Sequence, residues 1–290
     1  MSAQNVLFDA LGPRGRRRIL VGNVVAAVAV TGIAVWVLMR LADKGQLTGA
    51  MWQPFLTGRV WGDYIVPGLT STLKAAGLAI VGSLVLGLLL GLGRLAPLAV
   101  VRAVSGTVVE FFRAIPVLLM MIFFWLGLAR VEAIPRDQLP LVAVVLALVL
   151  YNGSVVAELV RSGVHGLPRG QREAALATGL THGQSLRSVE VPQALIAMLP
   201  SVISQLVVIL KDTALGYIIT YPEMLSNGRR LGVQDGNVVP ALIVIAVVFI
   251  VINYTLTWVA GRLSRRLGSR TSGTTRAEAP ALIVGTATTR

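Results

Sequence analysis

The sequence contains no cysteine and only two histidines, His165 and His182. The lack of cysteine excludes disulfide bonds, thiolate catalysis and cysteine-bound metals, and the two histidines do not have the spacing of a metal site. The chain also has no GxxxxGK[ST] phosphate-binding loop and no GxSxG nucleophile elbow. We therefore expect a protein that is not an enzyme and that holds no cofactor or metal of its own.

Charged residues are scarce as well, at 13% of 290 residues against 55% hydrophobic residues. Such a composition, with a mean hydropathy of +0.76, is typical of a membrane protein. The formal net charge of +13 is high enough to suggest nucleic acid. The basic residues, however, lie between apolar stretches rather than on one soluble face. Membrane topology explains them better, so the expected partner is the lipid bilayer and not a nucleic acid.

Several apolar stretches are long enough to cross a bilayer. They lie at 19–41, 69–95, 108–128, 139–157, 193–219 and 238–260. The predicted fold class is therefore all-α and polytopic, with about six transmembrane helices. A polar segment at 1–18 precedes the first span, and the Ser-, Thr- and Arg-rich tail at 264–290 is predicted to be disordered because it cannot bury a core.

Arginine is concentrated on one side of these spans. With the N-terminus inside, that side holds the first segment, the loop after the second span, the polar stretch between the fourth and fifth spans, and the tail. The positive-inside rule therefore predicts a multi-pass protein whose two termini and central polar stretch are cytoplasmic.

The central polar stretch reads as two short helices joined by a turn. Pro168 suits a helix start, and Gly179 suits the left-handed position after a helix end. Thr181 with Gln184 three residues later is a capping box for the second helix. We expect Pro192 to end that helix.

The same stretch carries a spaced motif. Its residues are Glu173, Ala174, Ala175, Gly179 and Pro192. They resemble the EAA loop of the permease subunits of binding-protein-dependent ABC importers, in which this loop couples the permease to its ATPase. The runs AELVR at 157–161 and PRGQ at 168–171 narrow the resemblance to the polar amino-acid branch. Val189 and Val191 depart from the usual Ile and Leu but remain aliphatic.

The resemblance covers residues 68–263 and implies a type I ABC importer permease with a five-helix core and a coupling loop at 158–192. The span at 19–41 would then be an extra helix. The family also implies partners: a dimer of ABC ATP-binding subunits that bind the ATP, a second permease subunit, identical or homologous, and an extracytoplasmic substrate-binding protein. The implied location is the cell inner membrane, and the implied cargo is a polar amino acid, with glutamate favoured.

Lys211, Asp212 and Thr213 interrupt the fifth span. An ion near the centre of a membrane helix costs about 2.5–3.5 kcal/mol, so these side chains are expected to face a partner, a water path or the bundle interior. The run 210–215 resembles one that the family carries in this span. Two interpretations remain open, namely a structural Lys211–Asp212 ion pair and a polar patch on the translocation path.

Four further polar residues lie in or near the spans. Glu110 and Arg113, three residues apart, can pair on one helix face, and structural pairing is the favoured role. Pro116 is expected to weaken or kink the helix there. Asn152 and Glu158, in or near the fourth span, are weaker candidates of the same kind. Lys211 and Arg113 favour an acidic substrate, whereas Asp212 and Glu110 serve a basic one equally well.

The competing hypothesis is a secondary amino-acid transporter that uses an ion gradient and no ATPase. Such transporters usually contain internal repeats and broken helices in both halves. Only one interrupted span and no duplicated pattern are evident in this sequence, so the importer permease is favoured.

Overall fold

The computed structural model describes residues 12–130, 132 and 134–268, with side chains up to residue 262. Within these residues the regular structure is helical and no strand forms. The α-helices are α1 Pro13–Asp43, α2 Gly49–Trp52, α3 Gly58–Val60, α4 Val66–Arg94, α5 Ala99–Ala114, α6 Val117–Leu128, α7 Leu139–His165, α8 Arg169–Ala177, α9 His182–Ser185, α10 Val191–Asp212, α11 Met224–Gln234 and α12 Val238–Gly268. Short 3₁₀ and π turns join some of them, at Gln53–Leu56, Trp61–Ile65, Leu186–Glu190 and Thr213–Ile219.

Five continuous helical segments are long and apolar enough to cross a membrane. They are Pro13–Asp43, Gly58–Arg94, Leu139–His165, His182–Ile219 and Val238–Arg262. The helices α5 and α6 pass the same test together, as one bent pair. The predicted all-α, polytopic fold with about six spans is confirmed. Helix α1 extends past the predicted span and includes residues 13–18. Helix α12 runs to Gly268, so the prediction of disorder for the tail at 264–290 is wrong for residues 264–268, and residues 269–290 lie outside the described residues.

The span predicted at 108–128 is divided between two helices. Helix α5 ends at Ala114, Ile115 is extended, and α6 begins at Val117 at an angle of 96° to α5. Pro116 causes the break, because the proline ring disfavours helical geometry at the residue before it. The kink expected at Pro116 is thus a full change of direction.

Pro192 does not end a helix, contrary to the prediction. The helix is continuous from His182 to Ile219, and Pro192 lies near the start of α10. The π turn Leu186–Glu190 comes immediately before it. A π turn widens the hydrogen-bonding pattern, and this accommodates a residue that has no N–H and whose ring would collide with the carbonyl four residues earlier.

Residues 220–237, predicted as a polar loop, contain helix α11. Its apolar residues Met224 and Leu231 are two helical turns apart and pack against Ala241 and Ile245 of α12. Met224 and Leu231 are its two buried large apolar side chains, so the stretch appears polar in the sequence.

The centre of the fold is the pairing of α4 with α7. Gly87 of α4 lies directly against Val156 of α7, and Gly91 lies against Val160 one turn further on. Helix α1 contrasts with this pair, since none of its residues is buried. The small residues Gly87 and Gly91 therefore let α4 and α7 approach closely.

Candidate functional site

The predicted turn between the two short helices has the expected geometry. We call residues 158–192 the coupling segment. Gly179 has a φ of +88°, in the region that favours glycine. The Thr181 hydroxyl accepts the Gln184 backbone N–H at 3.3 Å, and the Gln184 side chain accepts the Thr181 N–H at 2.8 Å. The predicted capping box is confirmed, and it fixes the angle between α8 and the helix that follows.

The EAA residues present two faces. Ala175 is only 6% exposed and packs inwards, whereas Glu173 and Ala174 are exposed. The Gln193 side-chain amide donates to Gln171 of α8 at 3.1 Å, which ties α8 to the start of α10. Helix α8 therefore exposes the Glu173 carboxylate and the small Ala174 side chain to solvent while Ala175 holds it against the protein. This geometry suits docking to a partner, and the role of these residues stays a prediction.

Five charged side chains meet where α4, α5 and α7 come together. We call them the charged cluster: Arg94, Glu110, Arg113, Glu158 and Arg161. Arg94 donates to Glu158 at 2.7 Å and to Glu110 at 3.2 Å. Arg161 donates to Glu158 at 2.6 Å. The Arg113 guanidinium is 3.7 Å from both carboxylates.

Glu158 is the hub of the charged cluster. It is 23% exposed and contacts all three arginines, and Arg94 is 14% exposed. The expected pairing of Glu110 with Arg113 is present at 3.7 Å but is the weaker part of a larger network. Arg94 and Arg161 were not predicted as members. Only the three-residue spacing of Glu158 and Arg161 gives a local signal, because Arg94 reaches the cluster through tertiary packing.

Lys211 and Asp212 form no ion pair with each other or with any other described side chain. Lys211 is exposed and lines a cavity of about 390 Å³ between α10 and α12, together with Phe249 and Asn253. Thr213 is buried, and its hydroxyl donates to the Leu210 carbonyl at 2.7 Å. Of the two interpretations, the structural pair has no support from this geometry.

Asn152 lies in the core rather than at a cavity. It is 0% exposed, and its side-chain amide donates to the Leu148 carbonyl at 3.0 Å. Its side-chain oxygen accepts from Gln205 of α10 at 2.6 Å. Both ends of the amide are thus satisfied, and the contact fastens α7 to α10.

Glu223 was not predicted as a site residue. It is fully buried and caps α11 by accepting the backbone N–H groups of Leu225 at 2.7 Å and Ser226 at 2.6 Å. Burial raises the pKa of Glu223 to about 7, against the smaller lowering effect of the two N–H donors. Burial and the nearby Glu223 carboxylate also raise the pKa of Tyr221 to about 12. Glutamate is an uncommon N-cap, so no local pattern pointed to this role.

We expect the stability of the protein to fall as pH rises from about 5 to about 7, in part because of Glu223. The folded state holds the Glu223 proton more tightly than the unfolded state, whose pKa is near 4.5, so unfolding is favoured as that proton is lost. The full effect is about 3 kcal/mol. Glu223→Gln, which mimics the protonated acid, should flatten this dependence when thermal unfolding in detergent is followed between pH 5 and pH 8.

Asp137→Asn is the matched control, because Asp137 is exposed in the loop before α7. This variant should keep the pH dependence of the wild type. If the pH dependence of thermal unfolding in Glu223→Gln equals that of the wild type, Glu223 does not titrate in this range.

Within the described residues, no group of three histidine or acidic side chains is placed to hold a metal ion. The candidate sites are therefore the coupling segment, the charged cluster and the cavity at Lys211.

The sequence matches a protein family described as the binding-protein-dependent transport system inner membrane component, over residues 83–269. It is 45% identical over 227 residues to the glutamate transport system permease protein GluD of Corynebacterium glutamicum, covering 78% of this chain and 83% of that protein. It is 30% identical over 208 residues to the glutamate/aspartate import permease protein GltK of Escherichia coli, covering 70% and 93% of the two chains.

A solved structure has the same fold. It is described as the crystal structure of an amino acid ABC transporter with histidines, and it superposes with a TM-score of 0.64 at 27% sequence identity. The match covers 70% of this chain and 93% of the other.

Proposed function

The chain belongs to the binding-protein-dependent transport system inner membrane component family, and from this premise we propose that it is the permease subunit of an ATP-driven importer of glutamate. The observation that carries the choice of substrate is the 45% identity to a glutamate permease over 227 residues. The second relative, a glutamate/aspartate permease, points to the same acidic class.

Uptake of labelled glutamate tests this proposal. The chain is produced with its ATPase and binding protein in a host that lacks glutamate uptake. Glutamate should accumulate, aspartate should compete more strongly than arginine, and collapse of the ion gradients with ATP maintained should leave uptake intact. Uptake of arginine but not glutamate would contradict the substrate. Uptake lost with the gradient would indicate a secondary transporter.

We propose that the coupling segment docks on a separate ATP-hydrolysing subunit, with a second permease and an extracytoplasmic binding protein completing the assembly. The exposed Glu173 and Ala174 and the left-handed turn at Gly179 support this role. Ala175 and Pro192 support the docking face from behind. Ala175 packs α8 against the protein, and Pro192 follows the π turn that sets the direction of α10. In this scheme ATP is bound by the partner and the permease only translocates.

We propose that the coupling segment and both termini face the cytoplasm, since this orientation places the arginine-rich segments inside. Cysteines introduced at Gly170 and Gln53 should then behave differently in intact cells. The Gly170→Cys chain should resist an impermeant thiol reagent until the cells are opened, whereas Gln53→Cys should react at once. The chain has no native cysteine to confuse the assay. Reaction of Gly170→Cys in intact cells would reverse the topology.

We propose that Lys211 faces the translocation path and attracts the substrate carboxylate, with Asp212 and Thr213 beside it. Its exposure to the cavity between α10 and α12 supports this role. Glu110 and Arg113 in the charged cluster would lie near the inner end of the path, and Asn152 would brace its wall.

Lys211→Gln should raise the half-saturation concentration for glutamate about tenfold, because a charge-assisted hydrogen bond contributes about 1.5 kcal/mol or more. Uptake kinetics measure the change. Lys74→Gln is the matched control, since Lys74 is exposed on α4 outside this cavity, and it should leave the value unchanged. Equal values for wild type and Lys211→Gln would remove Lys211 from the path.

A further inference from the structure

A cavity of about 590 Å³ is lined in part by the coupling segment, but Glu173, Ala174 and Gly179, which support the docking role proposed above, do not line it. The loop between α4 and α5 forms one wall, and α8 and α9 form another. Most of the charged side chains that line it are basic. They are Arg94, Arg102, Arg169 and Arg172, with the two histidines His165 and His182. We call this space the basic cavity.

Little negative charge balances these arginines. Arg94 is engaged in the charged cluster. Among the described residues that line the cavity, the one carboxylate is that of Glu190, which accepts a hydrogen bond from the Ser185 hydroxyl at 2.8 Å. Among the side chains that the structure describes, no carboxylate lies within ion-pair distance of Arg102, Arg169 or Arg172. The basic cavity therefore carries an uncompensated positive charge.

Arg102 is held in place by the protein. One of its terminal nitrogens donates to the Ala96 carbonyl at 3.0 Å and to the Pro97 carbonyl at 3.4 Å. This contact fixes the guanidinium beside the loop while leaving its other donors for a ligand. A positioned guanidinium is well suited to phosphate, because its planar fork matches two phosphate oxygens.

The basic cavity is lined by the ends of two spans, where lipid headgroups are expected in a bilayer. Arg94 is the last residue of the span Gly58–Arg94, and His165 is the last residue of the span Leu139–His165. Both line the basic cavity. Its remaining wall is apolar and includes Leu95, Val164 and Leu167. The polar end of a ligand bound in the basic cavity would contact the cationic side chains, and its apolar part would contact the apolar wall.

We propose that the basic cavity binds the phosphate headgroup of an anionic phospholipid, with Arg102, Arg169 and Arg172 as its ligands. Basic pockets beside the ends of membrane helices attract anionic headgroups, and the apolar wall receives the start of the acyl chains. The bound lipid links the α4–α5 loop to α8 and so holds the coupling segment against the membrane surface. The leaflet is cytoplasmic in the orientation proposed above, but the chemistry of the site does not depend on it.

Lipid retention by the purified full chain in neutral detergent tests the proposal. The probes are phosphatidylglycerol, phosphatidylcholine and soluble glycerol phosphate, and native mass spectrometry counts the bound molecules. The wild type should retain phosphatidylglycerol in preference to phosphatidylcholine. Arg102→Gln with Arg172→Gln should weaken that retention roughly thirtyfold, since each basic residue near the headgroups contributes about a fivefold factor.

Arg17→Gln with Arg187→Gln is the matched control, because it removes the same charge from exposed positions that do not line the basic cavity. This control should retain lipid as the wild type does. An equal loss of lipid retention in both double variants would show that general surface charge causes the effect. That result would overturn the proposed lipid site. Arg169→Gln alone, expected to weaken retention about fivefold, gives a second test if the double variant does not fold. Unchanged retention in that variant would also overturn the site.

Two further results would assign the basic cavity differently. If glycerol phosphate binds as tightly as phosphatidylglycerol, the occupant is a soluble anion and the lipid is excluded. If the double variant retains lipid but loses the co-purifying ATPase subunit, the arginines serve the protein partner instead. Neither result depends on which substrate is transported, so failure of this proposal is distinguishable from failure of the glutamate assignment.

Discussion

Glu173→Lys should abolish glutamate uptake while the chain remains folded in the membrane. The Glu173 carboxylate is exposed and makes no hydrogen bond or ion pair with any described side chain, so the fold does not depend on it. At a docking surface, by contrast, reversing one charge costs about 3 kcal/mol or more and weakens association on the order of a hundredfold. Uptake, ATP hydrolysis and co-purification of the ATPase subunit should fall together.

Asp137→Lys is the control for this charge reversal, because Asp137 is also exposed but lies in the loop before α7, away from the coupling segment. It should transport as the wild type does. The fold of each variant is checked by its elution as a single species and by its thermal unfolding. Normal uptake in Glu173→Lys would rule out the docking role of α8.

Gly87→Leu should destabilise the protein by about 3 kcal/mol, the upper part of the range for overpacked cores. A β-carbon at Gly87 would lie 2.5 Å from Val156 Cβ and 2.9 Å from the Gly153 carbonyl oxygen. Neither neighbour can turn aside, because valine is stiff about its first side-chain bond and the other contact is backbone. The helices α4 and α7 must therefore separate, and Arg94 and Glu158 at their ends separate with them.

Gly77→Leu on the same helix provides the comparison, since a β-carbon at Gly77 meets nothing within 4 Å. Thermal unfolding in detergent should place this variant within about 1 kcal/mol of the wild type. If Gly87→Leu and Gly77→Leu unfold at the same temperature, the close approach of α4 to α7 does not hold the fold together.

Features that depend on a few neighbouring residues were predictable from the sequence. The capping box at Thr181 and Gln184 and the left-handed turn at Gly179 are set by local backbone chemistry, and both are present. The spans were predictable because their hydropathy exceeds what any soluble segment needs. Membership of the importer permease family was also recognisable, because the EAA motif is a fixed local pattern.

Features that depend on tertiary packing were not predictable. The charged cluster requires Arg94 and Glu158, which are 64 residues apart, to meet at 2.7 Å. Helix α11 forms because Met224 and Leu231 pack against α12, although its own sequence is mainly polar. Pro192 was expected to break a helix, and the π turn before it changes that outcome. In each case the deciding contact or turn lies outside the local pattern.

The pairing of α4 with α7 also sets an order of events during synthesis. Gly87 meets Val156 and Gly91 meets Val160, so the α4 side of each contact leaves the ribosome 69 residues before the α7 side. Synthesis proceeds at roughly 5 to 20 residues per second. The glycine face of α4 is therefore made between about 3 and 14 s before the part of α7 that packs against it. Helices α5 and α6 enter the membrane during that interval. The nascent chain therefore passes through a stage in which the glycine face of α4 contacts lipid or an insertion factor. Helix α7 later replaces that contact.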